Sequence, residues 1–358
     1  MEMNLKPITA PGSKNLITDV SGVQVGHAED YKIGTGVTVI TGDNPFSAAV
    51  DVRGGGPGTR ETDMLSLENS IGRADAIVLS GGSAYGLDAS SEIQDLLRDD
   101  RKGYQLGKAI IPLVPSAVIF DLNINDNPHV NKLGHRSPWR NLANQAYKSC
   151  SNNFLLGSYG AGCGATTATL KGGQGSSSWK QKYSNGQEYT VGAIVINNAV
   201  GNPLLNKGPC FLSGYLEINK EFGGYGTSNE NFDHVIRSKR LPRSIGIADT
   251  FNQISSNTVI GVVATDAPLS RANLKRLAIM AHDGIAKSLS PAHTPMDGDT
   301  IFAISTHQNN KSELDNIDIL AMGSRISDCV ARACNRAVYE AVSTIKSKPT
   351  WKELFGSK

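Results

Sequence analysis

The junction between Asn257 and Thr258 has the residue types of a latent nucleophile. A polar run, Ser255-Ser256-Asn257, passes directly into the apolar segment TVIGVVATD, which begins with threonine. A threonine hydroxyl is a weak nucleophile without an adjacent base, and an α-amino group, with a pKa of about 7.7 to 8, is a suitable base. Cleavage before Thr258 would therefore place nucleophile and base in one residue. Such cleavage can be self-catalysed, if the Thr258 hydroxyl attacks the Asn257 carbonyl and water hydrolyses the resulting ester.

Four further residues could assist this chemistry. Asp297 and Asp299 are two positions apart, so on an extended segment both carboxylates would face one side and could orient the new amino group. Asn198 ends the apolar run AIVINN and could direct its side-chain amide at a developing oxyanion. Lys171 could offset the charge of that oxyanion or shift the pKa of the amine. Each residue also has a structural interpretation, namely a polar Asp-Gly-Asp turn, a strand-end turn and a surface lysine.

Metal and nucleotide sites are not favoured by the sequence. The glycine-rich segments RGGGPGTRE and GAGCGATTATLKGGQG do not contain G-x-x-x-x-G-K-[ST], because Gly172 follows Lys171. A metal site could be proposed from His282, Asp283, His293, Asp297 and Asp299. The chain has no HExxH motif, however, and its other histidines are scattered. We therefore expect neither a metal nor a cofactor.

Hydrophobic patterns indicate the elements that must position these residues. Short apolar β-type runs, among them TGVTVIT, AAVDV, the pair in AIIPLVPSAVIFDL, TVIGVVATD and TIFAIST, alternate with glycine-rich turns. A helix is predicted from about Ser270 to Leu289, and a final helix carries Ile326, Val330, Cys334 and Val338 at helical spacing. Residues 201–257 are polar with little periodicity, which is typical of a long loop or linker. We expect one mixed α/β domain over residues 1–358, whose C-terminal third begins at a strand.

Composition excludes several classes of protein. The chain has 358 residues, a formal net charge of +2 and no basic patch with interleaved aromatic residues, so nucleic-acid binding is not expected. Its five cysteines are odd in number and lack CxxC spacing, which favours reduced thiols in a cytoplasmic protein. We find no apolar run of the length that a signal peptide or membrane span needs.

Several long motifs in order resemble one known family, the self-processing aminopeptidases of the DmpA type. The group includes β-peptidyl aminopeptidases and the nylon-oligomer endo-hydrolase. The segments that carry the resemblance are ITDVSGVQVGHAED, VDVRGGGPGTRETD, VLSGGSAYGLDA, PSAVIFDL, GAGCGATTATLKGG, VGAIVINNAVGN, NTVIGVVATDAPL and HTPMDGDTIFAI. They span nearly the whole chain.

The resemblance implies a fold, an assembly and a set of roles. The implied fold is a four-layer αββα sandwich of the N-terminal-nucleophile type, shared with ornithine acetyltransferases, and the implied assembly is a homotetramer. Processing would give fragments 1–257 and 258–358. By position, Thr258 matches the nucleophile, Asn198 the oxyanion asparagine and Lys171 the active-site lysine of the threonine branch. Asp297 and Asp299 match the paired carboxylates.

One position departs from the family pattern, and two alternatives stay open. Characterised relatives carry an active-site tyrosine where this chain has Phe120, which lacks a hydroxyl, so the substrate pocket differs there. We predict hydrolysis of a short peptide or related amide through an acyl-enzyme ester. An acyltransferase of the ornithine acetyltransferase type would use the same ester with an amine acceptor. A catalytically silent binding protein on the same scaffold is the second alternative.

Overall fold

Twelve strands and five α-helices make up the part of the chain that the structure describes. The structure is a computed structural model and describes residues 9–125, 136–228, 257–307, 314–343 and 348–356. The strands are β1 (Thr9–Ala10), β2 (Gln24–Asp30), β3 (Thr35–Val52), β4 (Thr59–Arg60), β5 (Arg73–Ser80), β6 (Tyr104–Leu106), β7 (Ala109–Ile111), β8 (Ser116–Val118), β9 (Gly173–Lys182), β10 (Glu188–Asn198), β11 (Thr258–Thr265) and β12 (Thr300–Ser305). The helices are α1 (Ala89–Asp99), α2 (Trp139–Lys148), α3 (Arg271–Ser288), α4 (Asn316–Tyr339) and α5 (Trp351–Phe355). None of these helices is long and apolar enough to cross a membrane.

Strand β3 joins two halves of one large sheet. The strand order is β1-β9-β10-β11-β12-β3-β5-β8-β4, with β2 also paired to β3. The first part of β3 pairs with β2 and β5, whereas residues 47–52 pair with β12, and the register shifts between Thr41 and Phe46. The runs TGVTVIT and AAVDV, predicted as separate strands, are therefore one strand of 18 residues. A register shift of this kind bends and twists a strand, which lets β3 serve both halves.

Three apolar clusters separate four layers. The first lies between helices α3 and α4 and the β10–β12 half of the sheet, the second between the two sheet halves, and the third between the β3–β5 half and helices α1 and α2. Examples from the three clusters are Val263 with Leu277, Ile260 with Ile77, and Val78 with Ile93. The order helix, sheet, sheet, helix confirms the predicted αββα sandwich.

Strand β11 lies inside this sandwich and is buried on both faces. Its side chains alternate, so that Val259 and Val263 join the cluster under the helices while Ile260 and Val262 join the cluster between the sheets. All eight residues of the strand are buried. A strand covered on both faces is expected to be apolar throughout, which explains the continuous run TVIGVVAT.

The two long C-terminal helices follow the sequence pattern. Helix α3 begins after Ser270, whose side chain accepts a hydrogen bond from the Asn273 N–H, and it covers almost all of the predicted range. Helix α4 buries all four positions of the predicted stripe, which are Ile326, Val330, Cys334 and Val338. Both predictions are confirmed.

The first half of the predicted linker is packed. Leu204, Phe211 and Phe222 are buried in a fourth cluster with Trp351 of α5. The Glu221 side chain is only 7% exposed and binds Arg332 of α4 at 2.6 Å. Residues 201–228 are therefore a long irregular loop that large apolar side chains at irregular spacing anchor to the rest of the domain. Residues 229–256 lie outside the described residues.

The predicted pair of buried strands in AIIPLVPSAVIFDL is half right. Strand β8 is buried and runs parallel to β5. Strand β7 instead pairs with β6 in a separate two-stranded hairpin, where Ile111 and Leu106 are exposed. The apolar pattern of residues 109–111 therefore did not indicate burial.

Candidate active site

Thr258 begins the central strand of the sheet and is only 5% exposed. It pairs directly with Asn198, the last residue of β10, in the antiparallel register of β10 and β11. On its other side β11 runs parallel to β12, starting with the pair Ile260 and Thr300. Two neighbouring strands therefore hold the residue in place, and Asn198 lies beside it although 60 positions separate the two in sequence.

The Thr258 hydroxyl lies against the peptide that precedes it. Its Oγ1 donates a hydrogen bond to the Asn257 carbonyl oxygen at 2.5 Å. The backbone N–H of Gly298 lies 3.1 Å from this hydroxyl oxygen and 3.1 Å from the Asn257 carbonyl oxygen. One N–H donor therefore reaches both the candidate nucleophile and the carbonyl that it would attack.

Asp297 and Asp299 flank the same peptide. Asp297 forms an isolated parallel bridge with Asn257, and Asp299 Oδ1 accepts a hydrogen bond from the Val259 N–H at 2.7 Å. Both residues are only 2% exposed, so this Asp-Gly-Asp segment is not a solvent-exposed polar turn. Burial, followed by the charge of Asp299, raises the pKa of Asp297. A raised pKa suits a carboxyl group that exchanges a proton near neutral pH.

Some polar atoms at this junction have no partner. Asp297 Oδ2 accepts from the Thr294 N–H at 2.6 Å, but Oδ1 has no hydrogen-bond partner among the described residues. Within the same limits, neither side-chain atom of Asn257 has one, although the residue is fully buried. An unpaired buried polar group costs about 1–3 kcal/mol, so the uncleaved junction is a place of stored unfavourable free energy.

A glycine run holds the loop of the two carboxylates. The backbone N–H groups of Arg53 and Gly54 donate to the Asp299 carbonyl at 2.9 and 3.2 Å, and that of Gly56 donates to the Asp297 carbonyl at 2.8 Å. A Cβ atom on Gly54 would lie 2.2 Å from the Asp297 carbonyl oxygen. The segment RGGGPG therefore holds the Asp297–Asp299 loop by backbone hydrogen bonds at close range. This role was not predicted from the sequence, where the segment was compared only with phosphate-binding loops.

Two histidines beside the carboxylates were considered only as metal ligands. His293 Nδ1 lies 2.7 Å from Asp299 Oδ2, and its ring packs edge-on against that of His282, with centroids 4.9 Å apart. Burial lowers the pKa of His282 to about 4. Burial also opposes a charge on His293, but the hydrogen bond and charge of Asp299 outweigh it and raise the pKa of His293. Within the described ranges, no three His, Cys, Asp or Glu side chains are grouped so that they could hold a metal ion.

The Asn198 side chain is held at both ends. Its Oδ1 accepts from the Thr166 N–H at 2.9 Å, and its Nδ2 donates to the Phe120 carbonyl at 3.3 Å. The side chain is 1% exposed and lies beside Thr258 in register, so a surface turn does not describe it. An amide fixed in this way keeps a defined orientation beside Thr258, as an oxyanion donor would need.

Lys171 is fully buried, which overturns the surface-lysine interpretation. Its Nζ donates to the carbonyls of Gly162, Ala165 and Gly172 at 3.0, 2.8 and 2.9 Å. Burial lowers its pKa to about 8. Lys171 and Asn198 are linked through the peptide between Ala165 and Thr166. The carbonyl of this peptide accepts from Lys171, and its N–H donates to Asn198.

Phe120 contributes its backbone to the site. Its carbonyl binds Asn198, while its side chain packs against the cluster that contains Trp139. The next residue, Asp121, is buried and accepts from Thr35 Oγ1 at 2.8 Å and from the Gly82 N–H at 2.7 Å. Burial raises the pKa of Asp121 to about 7. Asp121 was not among the residues predicted from the sequence, although an acidic residue that directly follows an apolar run was a usable signal.

Comparisons with known proteins place the chain in a family. The model of peptidase family S58 matches residues 15–350. An uncharacterised aminopeptidase of Mycobacterium bovis is 35% identical, over 95% of this chain and 98% of its own length. A 6-aminohexanoate-oligomer endohydrolase of a Kocuria species is 28% identical, over 85% of this chain and 79% of its own length.

Solved structures agree on the fold. The L-aminopeptidase D-Ala-esterase/amidase of Ochrobactrum anthropi, described as a variant of the Ntn hydrolase fold, matches with a TM-score of 0.68 at 20% identity, over 93% of this chain and 88% of that one. A Burkholderia β-aminopeptidase matches with a TM-score of 0.66 at 22% identity, over the same shares of the two chains. The chain therefore belongs to peptidase family S58, and it is an enzyme of the aminopeptidase and amidase type that hydrolyses peptide or amide bonds.

Proposed function

We propose that the protein cleaves itself between Asn257 and Thr258 and then hydrolyses short peptides or related amides with Thr258 as its N-terminal nucleophile. The observation that carries the proposal is the contact at the junction, where Thr258 Oγ1 lies 2.5 Å from the Asn257 carbonyl oxygen. The Gly298 N–H, at 3.1 Å from that carbonyl oxygen, supports the proposal because it can stabilise the oxyanion that forms there.

The cleavage step balances as an N-to-O acyl shift followed by hydrolysis. The Thr258 hydroxyl loses its proton and attacks the Asn257 carbonyl carbon, the C–N bond breaks, and the Thr258 nitrogen takes up a proton. Water then hydrolyses the ester and leaves a carboxylate on Asn257 and a free amine on Thr258. Asp297, whose pKa burial and the Asp299 charge raise, is suited to move the proton.

Turnover uses the groups that cleavage exposes. The free amine takes the proton from the Thr258 hydroxyl as the hydroxyl attacks a substrate carbonyl, and the unpaired Asp297 Oδ1 can bind this amine. Asn198 stabilises the oxyanion with its side-chain N–H, and Lys171 holds the peptide that orients Asn198. The acyl-enzyme ester then reacts with water.

Intact mass under denaturing conditions, with N-terminal sequencing of the smaller fragment, tests the proposal. Wild-type protein should give fragments 1–257 and 258–358, the second beginning TVIGVV. Thr258→Ala should remain one chain of 38.0 kDa without hydrolase activity. Thr258→Ser should retain cleavage and part of the activity, because it keeps the hydroxyl. Wild-type turnover by Thr258→Ala would refute the proposed nucleophile.

Hydrolysis and acyl transfer differ in what reacts with the acyl-enzyme ester, which is water in the first case and an amine in the second. With an acyl donor and excess ornithine or glutamate, we expect free acid as the product, and an acylated amine detected by mass would instead support a transferase. A homotetrameric assembly and a cytoplasmic location stay predictions from the sequence.

A further inference from the structure

A pair of histidines, the buried His282 and the partly buried His293, lies behind Asp299, and the proposed mechanism does not use them. His293 Nδ1 is 2.7 Å from Asp299 Oδ2, and the His293 backbone N–H donates to the same oxygen at 3.1 Å. The other oxygen of Asp299 accepts from the Val259 N–H at 2.7 Å. One carboxylate therefore links His293 to the residue that follows Thr258.

We propose that His293 is a positioning residue that fixes the Asp299 carboxylate against the nucleophile's strand, both in self-cleavage and in turnover. The inference rests on the proposed role of Thr258. The backbone of His293 supports it, because φ is 54°, in the left-handed region that residues other than glycine uncommonly adopt. This conformation brings both the backbone N–H and the ring of His293 to one carboxylate oxygen.

The charges around His293 favour its protonated form. Asp299 and Asp297 face it from its own loop, and the ring of His282 faces it from α3. His293 Nε2 is 3.4 Å from the His282 carbonyl oxygen, so a second acceptor lies on the other side of the ring. Only 24% of the His293 side chain is exposed, which limits the screening of these interactions by water.

The groups behind His282 leave that ring neutral. Asp51 of β3 is the nearest acid, with its carbonyl oxygen 3.1 Å and its Oδ2 3.6 Å from His282 Nε2. Arg53 and Lys275 each bind the Asp51 carboxylate at 2.6 Å and neutralise its charge. His293 is therefore the member of the pair that takes up the proton as the pH falls through the neutral range.

Protonation strengthens the positioning contact. Protonation converts the hydrogen bond to the Asp299 carboxylate into an ion pair, and a cation beside Asp299 offsets its repulsion with Asp297. The pKa of His293 lies above its ordinary value of 6.5, so this contribution is complete below that pH and is lost as the pH rises through the pKa of the folded protein. The increase in kcat/KM that His293 provides should therefore become smaller as the pH rises.

Two amide substitutions separate positioning from mere packing. His293→Asn puts an amide nitrogen where Nδ1 lies and tolerates the left-handed backbone, whereas His293→Gln moves that nitrogen toward the position of Nε2. His293→Asn should cleave itself and lose about threefold in kcat, because a neutral donor replaces a charged one. His293→Gln should lose about 10- to 100-fold in kcat with little change in KM, and should cleave itself more slowly.

The pH dependence of kcat/KM provides a second test, because a residue that served only in packing would not change it. The ratio of kcat/KM between wild type and His293→Asn should fall as the pH rises. The midpoint of this fall should coincide with the pKa of His293 measured by NMR. Titrations of other groups common to both proteins cancel in this ratio. Equal kcat values for the two amide variants, or a ratio that does not vary with pH, would overturn the proposal.

An NMR titration in the Thr258→Ala background tests the contact without any turnover. The pKa of His293 should exceed 6.5 and should drop to that value or below when Asp299→Asn is added. An unchanged titration would overturn the inference. If wild-type protein were uncleaved and turnover did not depend on Thr258, the proposed function would fail, and this titration would still decide whether His293 and Asp299 are coupled.

Discussion

The two sides of Thr258 differ in how well their polar atoms are paired. On the amide side, which comprises Asn198, Thr166, Phe120 and Lys171, each side-chain polar group of Asn198 and Lys171 has hydrogen-bond partners. On the carboxylate side, which comprises Asn257, Asp297, Gly298, His293 and Asp299, the Asn257 side chain and Asp297 Oδ1 lack partners among the described residues. The amide side is thus complete before cleavage.

Under the proposed mechanism, this difference suits the two sides to different steps, the carboxylate side to self-cleavage and the amide side to turnover. A paired and rigid donor set needs no rearrangement and suits the repeated step, in which a substrate oxyanion forms. The unpaired atoms lie at the bond that would break, where cleavage releases the Asn257 side chain and creates an amine that Asp297 can bind. We therefore expect substitutions on the amide side to reduce turnover much more than self-cleavage.

Asn198→Ala is expected to show the largest separation. Removing one oxyanion donor lowers kcat by about 100- to 1,000-fold, whereas self-cleavage should proceed because Gly298, and not Asn198, donates to the Asn257 carbonyl. Mass spectrometry of the purified variant and steady-state kinetics measure the two effects. Asn197→Ala is the matched control, since that buried strand asparagine binds the Cys334 carbonyl on the helix side at 3.1 Å. An uncleaved Asn198→Ala chain would contradict the assignment.

Lys171→Met should lower kcat less than Asn198→Ala does, and it should also change how the free energy of unfolding depends on pH. We expect kcat to fall about 10- to 100-fold with KM unchanged, because the peptide between Ala165 and Thr166 loses its anchor. Lys348→Met is the control, since Lys348 is a half-buried lysine that binds the Ala168 carbonyl of the same segment. A kcat loss in both variants alike would show that the effect is not specific to the anchor.

The pH dependence of unfolding sharpens the test of Lys171. Its pKa is about 8 in the folded protein against 10.5 ordinarily, so the unfolded chain binds more protons between these values and stability rises with pH there. The full difference corresponds to about 3 kcal/mol. The free energy of unfolding of wild type, measured relative to that of Lys171→Met by urea titration, should therefore increase from pH 8 to 10.5. A flat difference would mean that burial does not lower the pKa of Lys171 in the folded protein.

Local patterns predicted the elements better than they predicted the contacts. The apolar run after Thr258 and the stripe from Ile326 to Val338 set the burial of β11 and of α4, because period and composition act locally. The pairing of Asn198 with Thr258 could not be obtained in this way, since it depends on the register of two distant strands.

The sequence was least informative where a residue's environment comes from backbone groups. Lys171 stands in a run of glycine, alanine and threonine, and its burial depends on three carbonyls whose directions no side-chain pattern records. His293 was grouped with potential metal ligands because its partner Asp299 lies six positions further along an irregular loop. The resemblance to a family identified the candidate residues, and only the fold gives their hydrogen-bond partners.

Phe120→Tyr is expected to have the smallest effect. The Phe120 side chain packs with the cluster around Trp139, and its link to the site is the carbonyl that binds Asn198, which the substitution keeps. If the amide side is complete as it stands, the added hydroxyl should change kcat less than about threefold, in the range of a single weak hydrogen bond. Any larger effect should appear in KM, as expected of a residue at the edge of a substrate pocket. A tenfold rise in kcat would instead show that the amide side lacks a donor that tyrosine supplies, so the steady-state kinetics of this one variant measure how complete the oxyanion site already is.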